Sequence, residues 1–349
     1  MNLKYITTIL GKVSPRIMIY FSNLINFDTF ALNFQSLKTK PNVLHYTLFP
    51  LFLLKYGKHG CRFYTLMKTL RLSSSPIKSL DNPEIELLIL AHQKDLHLLT
   101  FVVDKAIENS LNPIKKVNLV CPHDTLGLVR RELNLMESKY KHVVFDYKSD
   151  YEVLGGELYR KMLADFPNRF GWIAQQFLTV KSVLDSQSSA VLQVDADTIN
   201  LRPMTWLEKS GNQTILCSTE FHLPYYIVIK RLLRLRRVPM ESHVCHQMLF
   251  QTQLFRKYLW NLGIFNVSQL YDQYMQISSD LANEDSRFCA KYELYAYLMK
   301  RYSPHKIIKT KFSNTAISRK IFLKSPEIAL RKFSQDYFSI SAHSYLDNL

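Results

Sequence analysis

The chain has few cysteines, and their arrangement indicates no chemical role. Its 349 residues contain five, at positions 61, 121, 217, 245 and 289. An odd number at scattered positions argues against a disulfide framework and favours a reducing compartment, where each is best interpreted as a small buried hydrophobe. A zinc site built from His243, Cys245 and His246 would crowd three ligands into four residues, and no second cluster completes it.

A long hydrophobic run is also missing. The longest apolar stretch, residues 41–54, would span about 21 Å as a helix, against a hydrocarbon core of roughly 30 Å, and it contains His45 and Pro50. Lys12 and Arg16 interrupt the apolar residues at the start of the chain, which is therefore unlike a signal peptide. We expect no membrane span and a cytoplasmic location, with an interfacial role for residues 41–54 left open.

Acidic residues are scarce at both ends of the chain. Residues 1–80 carry 11 Lys/Arg and a single acid, Asp28, residues 302–349 carry 8 against 3, and residues 81–301 are balanced at 26 against 25. Motifs that interleave aromatic and basic residues on strands are absent, so nucleic acid is not the expected partner. Basic ends around a neutral centre favour peripheral contact with an anionic membrane surface at the inner face, or with an acidic acceptor. A solvated basic face is the alternative for residues 1–80.

The centre of the chain alternates strand and helix patterns. A Ser/Pro/Asn-rich stretch at residues 72–83 separates it from the N-terminal segment. The pattern predicts strands at residues 86–91, 117–121, 142–146, 190–194 and 214–217, and helices at residues 95–110, 125–135 and 170–184. This order predicts an α/β fold with a Rossmann-like, mostly parallel central sheet flanked by helices. Ligands of such sheets bind outside the carboxyl ends of the strands.

Two acids lie at one of these carboxyl ends. Asp195 and Asp197 follow the strand predicted at residues 190–194, and alternate residues of an extended chain share a face. Two close carboxylates repel each other unless one is protonated or a cation lies between them. A divalent ion shared with substrate phosphates would resolve the repulsion. The alternative is that Asp197 caps the following turn while Asp195 bonds to nearby backbone.

Five motifs occur in order over roughly residues 85–305. They are residues 171–176 (GWIAQQ), 194–203 (VDADTINLRP), 220–226 (EFHLPYY), 242–250 (SHVCHQMLF) and 291–295 (KYELY). Together they resemble an uncharacterised bacterial family of the nucleotide-diphospho-sugar transferase superfamily, which has the glycosyltransferase A-type fold. The resemblance implies a catalytic domain at residues 84–305, between a basic N-terminal segment at residues 1–80 and a basic C-terminal extension at residues 306–349.

The resemblance also implies an activity and a cofactor. It implies transfer of a sugar from a nucleoside-diphosphate sugar to a cell-surface glycan or a lipid-linked acceptor. Asp195, Asp197 and His246 would hold Mn²⁺ or Mg²⁺ on the diphosphate, so that Asp197 also serves catalysis. Glu293 would be the general base that takes the proton from the acceptor hydroxyl. A histidine satisfied by its neighbours and a surface glutamate at a helix start are the alternatives for His246 and Glu293.

Other residues are implied to contact the substrates. The donor nucleotide would lie against Ala91, Lys94 and Asp95 after the first strand, although an N-cap of the next helix is the favoured interpretation of Asp95. The sugar or acceptor would contact four further residues. These are Gln176, Glu220, His222 and Tyr225.

Two different classes of protein compete with this interpretation. Residues 194–199 also fit the D-x-D-x-T strand end of haloacid-dehalogenase-type phosphatases, in which the first aspartate attacks phosphorus. Three strands precede this one, however, whereas that fold places the motif on its first core strand. A transferase-like domain that binds a glycan without turnover is the other alternative.

Overall fold

The described part of the chain is residues 81–220, 222–236, 241–281 and 291–348, with Thr69, Leu72 and Phe288, in a computed structural model. Residues from Leu72 onward form one compact unit. The predictions for residues 1–80, including the apolar stretch at 41–54, lie outside the described residues, as do Cys61 and Cys289. The other three cysteines are free and buried. Within the described residues, no helix is both long enough and apolar enough to cross a membrane.

A five-stranded sheet forms the centre of the unit. Its strands are β1 (Ile85–Leu90), β2 (Ile114–Cys121), β3 (Val144–Ser149), β4 (Ala190–Asp195) and β7 (Gln247–Gln251). Their order is β3-β2-β1-β4-β7, with every pair parallel except β4 and β7. The predicted α/β fold with a mostly parallel central sheet is therefore confirmed.

The central strands are buried on both faces of the sheet, which explains why they occur in the sequence as continuous apolar runs. All six residues of β1 are buried, as are the first five of β4. The one acid within β1, Glu86, is buried because its carboxylate accepts hydrogen bonds from Asn118 (2.9 Å), Ser186 (3.0 Å) and Ser188 (2.6 Å). A buried carboxylate with this many donors avoids most of the cost of leaving water.

Helices cover the sheet through apolar stripes at helical spacing. In α1 (Leu96–Glu108) the residues Leu98, Leu99, Val102 and Ala106 are fully buried. The other helices are α2 (Leu126–Lys139), α3 (Asp150–Leu154), α4 (Gly156–Asp165), α5 (Phe170–Asp185), α6 (Leu223–Leu232), α7 (Thr252–Trp260), α8 (Val267–Ile277), α9 (Tyr292–Tyr302), α10 (Arg319–Lys324) and α11 (Pro326–Phe333).

Two smaller sheets join residues 307–343 to the rest of the unit. The strand β5 (Thr198–Asn200) pairs antiparallel with β10 (Ser339–His343), which pairs parallel with β9 (Asn314–Ser318). The strand β6 (Gln213–Cys217) pairs parallel with β8 (Ile307–Lys311). Because β5 directly follows the D-x-D turn, this pairing brings the end of β10 beside Asp197. The segment predicted as a C-terminal extension is thus part of the same unit.

The buried side chain of Asn112 links the segment that follows β5 to the start of the central sheet. Asn112 is fully buried, and its Nδ2 donates to the backbone oxygens of Pro83 (2.9 Å) and Leu207 (2.8 Å). Its Oδ1 accepts from the backbone N–H groups of Trp206 (2.8 Å) and Leu207 (3.1 Å). All four hydrogen-bonding positions of this amide are therefore used.

Asn112→Ala should destabilise the fold, because it removes the side-chain partner of four backbone groups, three of them buried. We expect a loss of about 2–4 kcal/mol in the free energy of unfolding, measured by urea denaturation. Asn261→Ala, at an exposed position, is the control and should change it by less than about 0.5 kcal/mol. Equal stability of the two variants would contradict the role given to Asn112.

Candidate functional site

The two aspartates lie where the direction of the central sheet reverses. The chain runs from β1 outward to β2 and β3, then returns to place β4 on the other side of β1. In open α/β sheets, the crevice at this point, outside the carboxyl ends of the strands, is where ligands bind. Asp195 is the last residue of β4, and Asp197 lies in the turn to β5.

Four side chains hold the carboxylate of Asp195. Its Oδ1 accepts from Lys291 Nζ (2.9 Å), Gln193 Nε2 (2.9 Å) and Tyr292 OH (3.0 Å), and its Oδ2 lies 3.1 Å from His246 Nδ1. Its backbone N–H also donates to the carbonyl of His246 at 2.8 Å. The first aspartate of the motif is therefore anchored by residues from β4, α9 and the start of β7.

The charges at Asp195 favour its ionised form. Burial would raise its pKa, but Lys291 and His246 outweigh burial and hold the pKa well below its usual range. Burial would lower the pKa of His246, and the carboxylates of Asp195, Asp197 and Glu220 reverse this and raise it. His246 also has a φ of 56°, in the left-handed region that few residues other than glycine adopt, although histidine is among those that do so more often.

A second aspartate–histidine pair lies beside the first. His343, the last residue of β10, places Nδ1 2.9 Å from Asp197 Oδ2, and the Ala342 N–H donates to the Asp197 carbonyl at 2.8 Å. The rings of His343 and His246 are 5.6 Å apart, and Tyr345 stacks on His343 at 4.7 Å. Two carboxylates from the D-x-D turn and two imidazoles from distant segments thus meet at the crevice.

These residues, as arranged, do not fit a divalent ion at Asp195. Among the described residues, no group of three or more His, Cys, Asp or Glu side chains is placed to hold a metal. Both oxygens of Asp195 already accept hydrogen bonds, and one of the donors is an ammonium group. A metal here would have to displace Lys291 or lie next to its positive charge. The Mn²⁺ or Mg²⁺ site predicted at Asp195, Asp197 and His246 stays a prediction that this arrangement does not support.

Glu293 is not placed to act as a general base. Its side chain is 0% exposed, and Oε1 accepts from the His243 N–H (2.7 Å), Tyr226 OH (3.0 Å) and Ser242 Oγ (3.3 Å). A base must reach the proton that it takes, and a fully buried carboxyl does not reach an acceptor hydroxyl. The alternative of a surface glutamate is wrong for the same reason, since the position is in the core.

Burial changes the ionisation of Glu293 and of its neighbour His243. It raises the pKa of Glu293 to about 7, although the His243 N–H and Lys300 favour the carboxylate. It lowers the pKa of His243 to about 3, with Lys300 acting in the same direction. Lys300 in turn forms an ion pair with Glu241. This buried cluster joins α9 to the segment before β7, and we interpret it as structural.

An arginine from the C-terminal part of the chain binds the residues after β1 that are predicted to contact the donor nucleotide. Arg319 Nη2 donates to Asp95 Oδ1 at 2.6 Å, and another of its nitrogens donates to the carbonyl of Lys94. Burial raises the pKa of Asp95, against the opposing effect of Arg319. Asp95 occupies the N-cap position of α1, as the favoured interpretation has it, but its side chain makes no capping bond. Ala91 is buried just beyond β1.

The residues predicted to contact the sugar or acceptor lie at three places in the fold. Glu220 is exposed after β6 and lies near enough to His246 and Tyr345 for its charge to raise the pKa of each. His222 and Tyr225, at the start of α6, have rings 4.8 Å apart. Gln176 is buried on α5, and its Oε1 has no hydrogen-bond partner among the described residues.

Sequence reasoning missed several residues of this crevice. Lys291 belongs to the motif at residues 291–295 but has no predicted role, and His343, Arg319 and Tyr345 lie in the predicted C-terminal extension. The one signal that could have pointed to His343 is a histidine at the end of the short strand pattern at residues 339–343. Its partner Asp197 is 146 positions away in the chain.

Comparison with known proteins gives distant structural likeness only. No family model matches the chain, and no curated protein matches it. Among solved structures, the chain is similar to mouse xyloside xylosyltransferase 1 in its apo form. The two are 11% identical with a TM-score of 0.39, over 75% of this chain and 98% of that one.

The chain is also similar to the galactosyltransferase LgtC. The complex of LgtC with donor and acceptor sugar analogs is 9% identical, with a TM-score of 0.43, over 74% of this chain and 87% of that one. An active-site mutant of LgtC is 8% identical, with the same TM-score and the same coverage. At these identities and TM-scores the likeness carries no argument about activity, and membership of the bacterial family stays a prediction.

Glu293→Gln should change how stability depends on pH. Because the pKa of about 7 in the fold exceeds the ordinary 4.5, protonated Glu293 stabilises the fold at low pH, and this contribution is lost as pH rises through 7. Glutamine does not titrate, so the variant should gain up to about 3 kcal/mol relative to wild type between pH 4.5 and 8 in urea unfolding. Glu327→Gln, at an exposed position, is the control. Parallel stability curves for wild type and Glu293→Gln would contradict the raised pKa.

Proposed function

We propose that this chain is a glycosyltransferase that moves a sugar from a nucleoside-diphosphate sugar to a glycan or lipid-linked acceptor. The observation that carries the proposal is the polar cluster where the direction of the central sheet reverses. There Lys291 and His246 contact the carboxylate of Asp195, and His343 contacts that of Asp197. A diphosphate is the ligand that such a group of donors suits, because it offers many acceptor oxygens and negative charge. The five sequence motifs support the same activity.

The chemistry needed from the protein is mainly electrostatic. When the bond from the sugar to the diphosphate breaks, negative charge grows on the departing diphosphate, and fixed cationic donors beside it lower the barrier. Lys291 would supply the cationic donor, the two imidazoles would supply further N–H donors, and the two aspartates would hold all three side chains in place. We assign no step to a divalent ion, because an ion at Asp195 would lie beside the ammonium group of Lys291.

The remaining assignments follow the position of each residue. We place the nucleoside against Ala91, Lys94 and Asp95, next to Arg319, because these residues line the carboxyl end of β1. We place the acceptor near Glu220, an exposed carboxylate at this edge, with the half-buried ring of His222 available to a sugar and the buried ring of Tyr225 packed against it. An acceptor at the inner membrane face, reached through the basic ends of the chain, is the part of this proposal that rests on charge alone.

Nucleoside diphosphates should stabilise the folded protein. In a thermal-shift panel of UDP, GDP, ADP and CDP, run with EDTA and again with Mn²⁺, one of them should raise the melting temperature by roughly 5 °C at a concentration about 100 times its dissociation constant. The shift should be lost in Asp197→Asn, which weakens the hold on His343. It should persist in Asp336→Asn, at an exposed position outside the crevice.

The absence of any shift in both buffers would contradict the proposed donor site. Release of phosphate from a phosphomonoester by the same preparation would then favour the phosphatase alternative. Binding of a glycan without turnover would favour the non-catalytic alternative. Neither alternative has a contact in the structure that favours it, since Asp195, the nucleophile that a phosphatase would need, is held by four side chains.

A further inference from the structure

We propose that Lys291, held on Asp195, is the resident cation of the diphosphate site, so that the donor binds without a divalent metal. This inference rests on the proposed function and deepens it. It assigns to a lysine of this chain the neutralising role for which the D-x-D sequence predicts a metal.

The first support is the unused hydrogen-bonding capacity of Lys291. Its side chain is 6% exposed, and an ammonium group has three N–H donors. Among the described residues, the one hydrogen-bond acceptor of Nζ is Asp195 Oδ1, at 2.9 Å. The ring of Tyr292, with its centroid 4.5 Å from Nζ, makes a cation–π contact with the ammonium group, and this contact is not a hydrogen bond to an oxygen atom. Two donors of a nearly buried cation therefore remain for a ligand at the crevice.

The second support is the way Asp195 fixes this lysine. Lysine is a flexible side chain, and anchoring by the half-buried carboxylate of Asp195 sets the position of its charge before a ligand arrives. Gln193 and Tyr292 donate to the same oxygen as Lys291, which holds the carboxylate itself in one orientation. A cation that is already in place needs no reorganisation when charge develops on a leaving diphosphate.

The third support is the balance of charge around the site. Asp195 faces both Lys291 and His246, and Asp197 faces His343. A divalent ion added at Asp195 would meet the ammonium group at contact distance, where like charges repel strongly in a partly buried setting. A diphosphate added at the same place would instead meet donors from Lys291 and the two histidines. The arrangement therefore suits an anion better than a second cation.

The test is calorimetric titration of the 349-residue chain with UDP, GDP, ADP and CDP, in EDTA and in Mn²⁺. For the nucleotide that binds, we expect dissociation constants that agree within about twofold in the two buffers. Lys291→Met should weaken binding in EDTA by roughly tenfold to a hundredfold, the equivalent of one hydrogen bond to a charged group. Lys291→Arg, which keeps the charge, should retain metal-free binding. Lys257→Met, at an exposed position on α7, is the matched control.

A metal-rescue measurement separates this role from a structural one. Removing the ammonium group leaves Asp195 without its cation, so Mn²⁺ should restore part of the binding to Lys291→Met while leaving wild type unchanged. Binding by wild type that requires Mn²⁺, or equal binding by wild type and Lys291→Met in EDTA, would overturn the inference. If Lys291→Met fails to fold, the wild-type comparison and Lys291→Arg still decide. No binding in either buffer would instead count against the proposed function.

Discussion

The hydrogen-bonded ion pair between Asp195 and Lys291 is the interaction on which the crevice depends. It joins the end of the central strand β4 to the start of α9, across 96 positions of sequence. Tyr292 and His246 bind the same carboxylate, so the pair also fixes the first turn of α9 and the entry to β7. Removing Asp195 would leave a nearly buried lysine and tyrosine without an acceptor, which is costly in a protein interior.

A neighbouring constraint acts on the second aspartate. Antiparallel pairing of β5 with β10 fixes the end of the last strand beside the D-x-D turn, and His343 reaches Asp197 because of that register. The C-terminal part of the chain also supplies Arg319 to Asp95 at the end of β1. The site is therefore assembled from the first, fourth, seventh and tenth strands together with α9, and it exists only when the whole unit has folded.

The sequence predicted the strands of the central sheet better than the residues of the crevice, for a physical reason. Strands buried on both faces are continuous apolar runs, so β1 was expected at residues 86–91 and is Ile85–Leu90. The strand β10 contains two serines among its five residues and carries no such run. Ion pairs between distant segments leave no local pattern, which is why Lys291 and His343 went unassigned. Glu293 was expected to be within reach of a substrate, because its position near a helix start does not indicate that α9 is buried.

The measurement that tests the central claim most directly is a crystal structure of the protein grown with the nucleoside diphosphate that binds, in the presence of EDTA. The account predicts diphosphate density at the carboxyl ends of β1 and β4, within hydrogen-bond distance of Lys291 Nζ, and with Lys291 still paired with Asp195. Diphosphate density bound elsewhere on the chain, or Lys291 turned away from Asp195 and from the ligand, would contradict it.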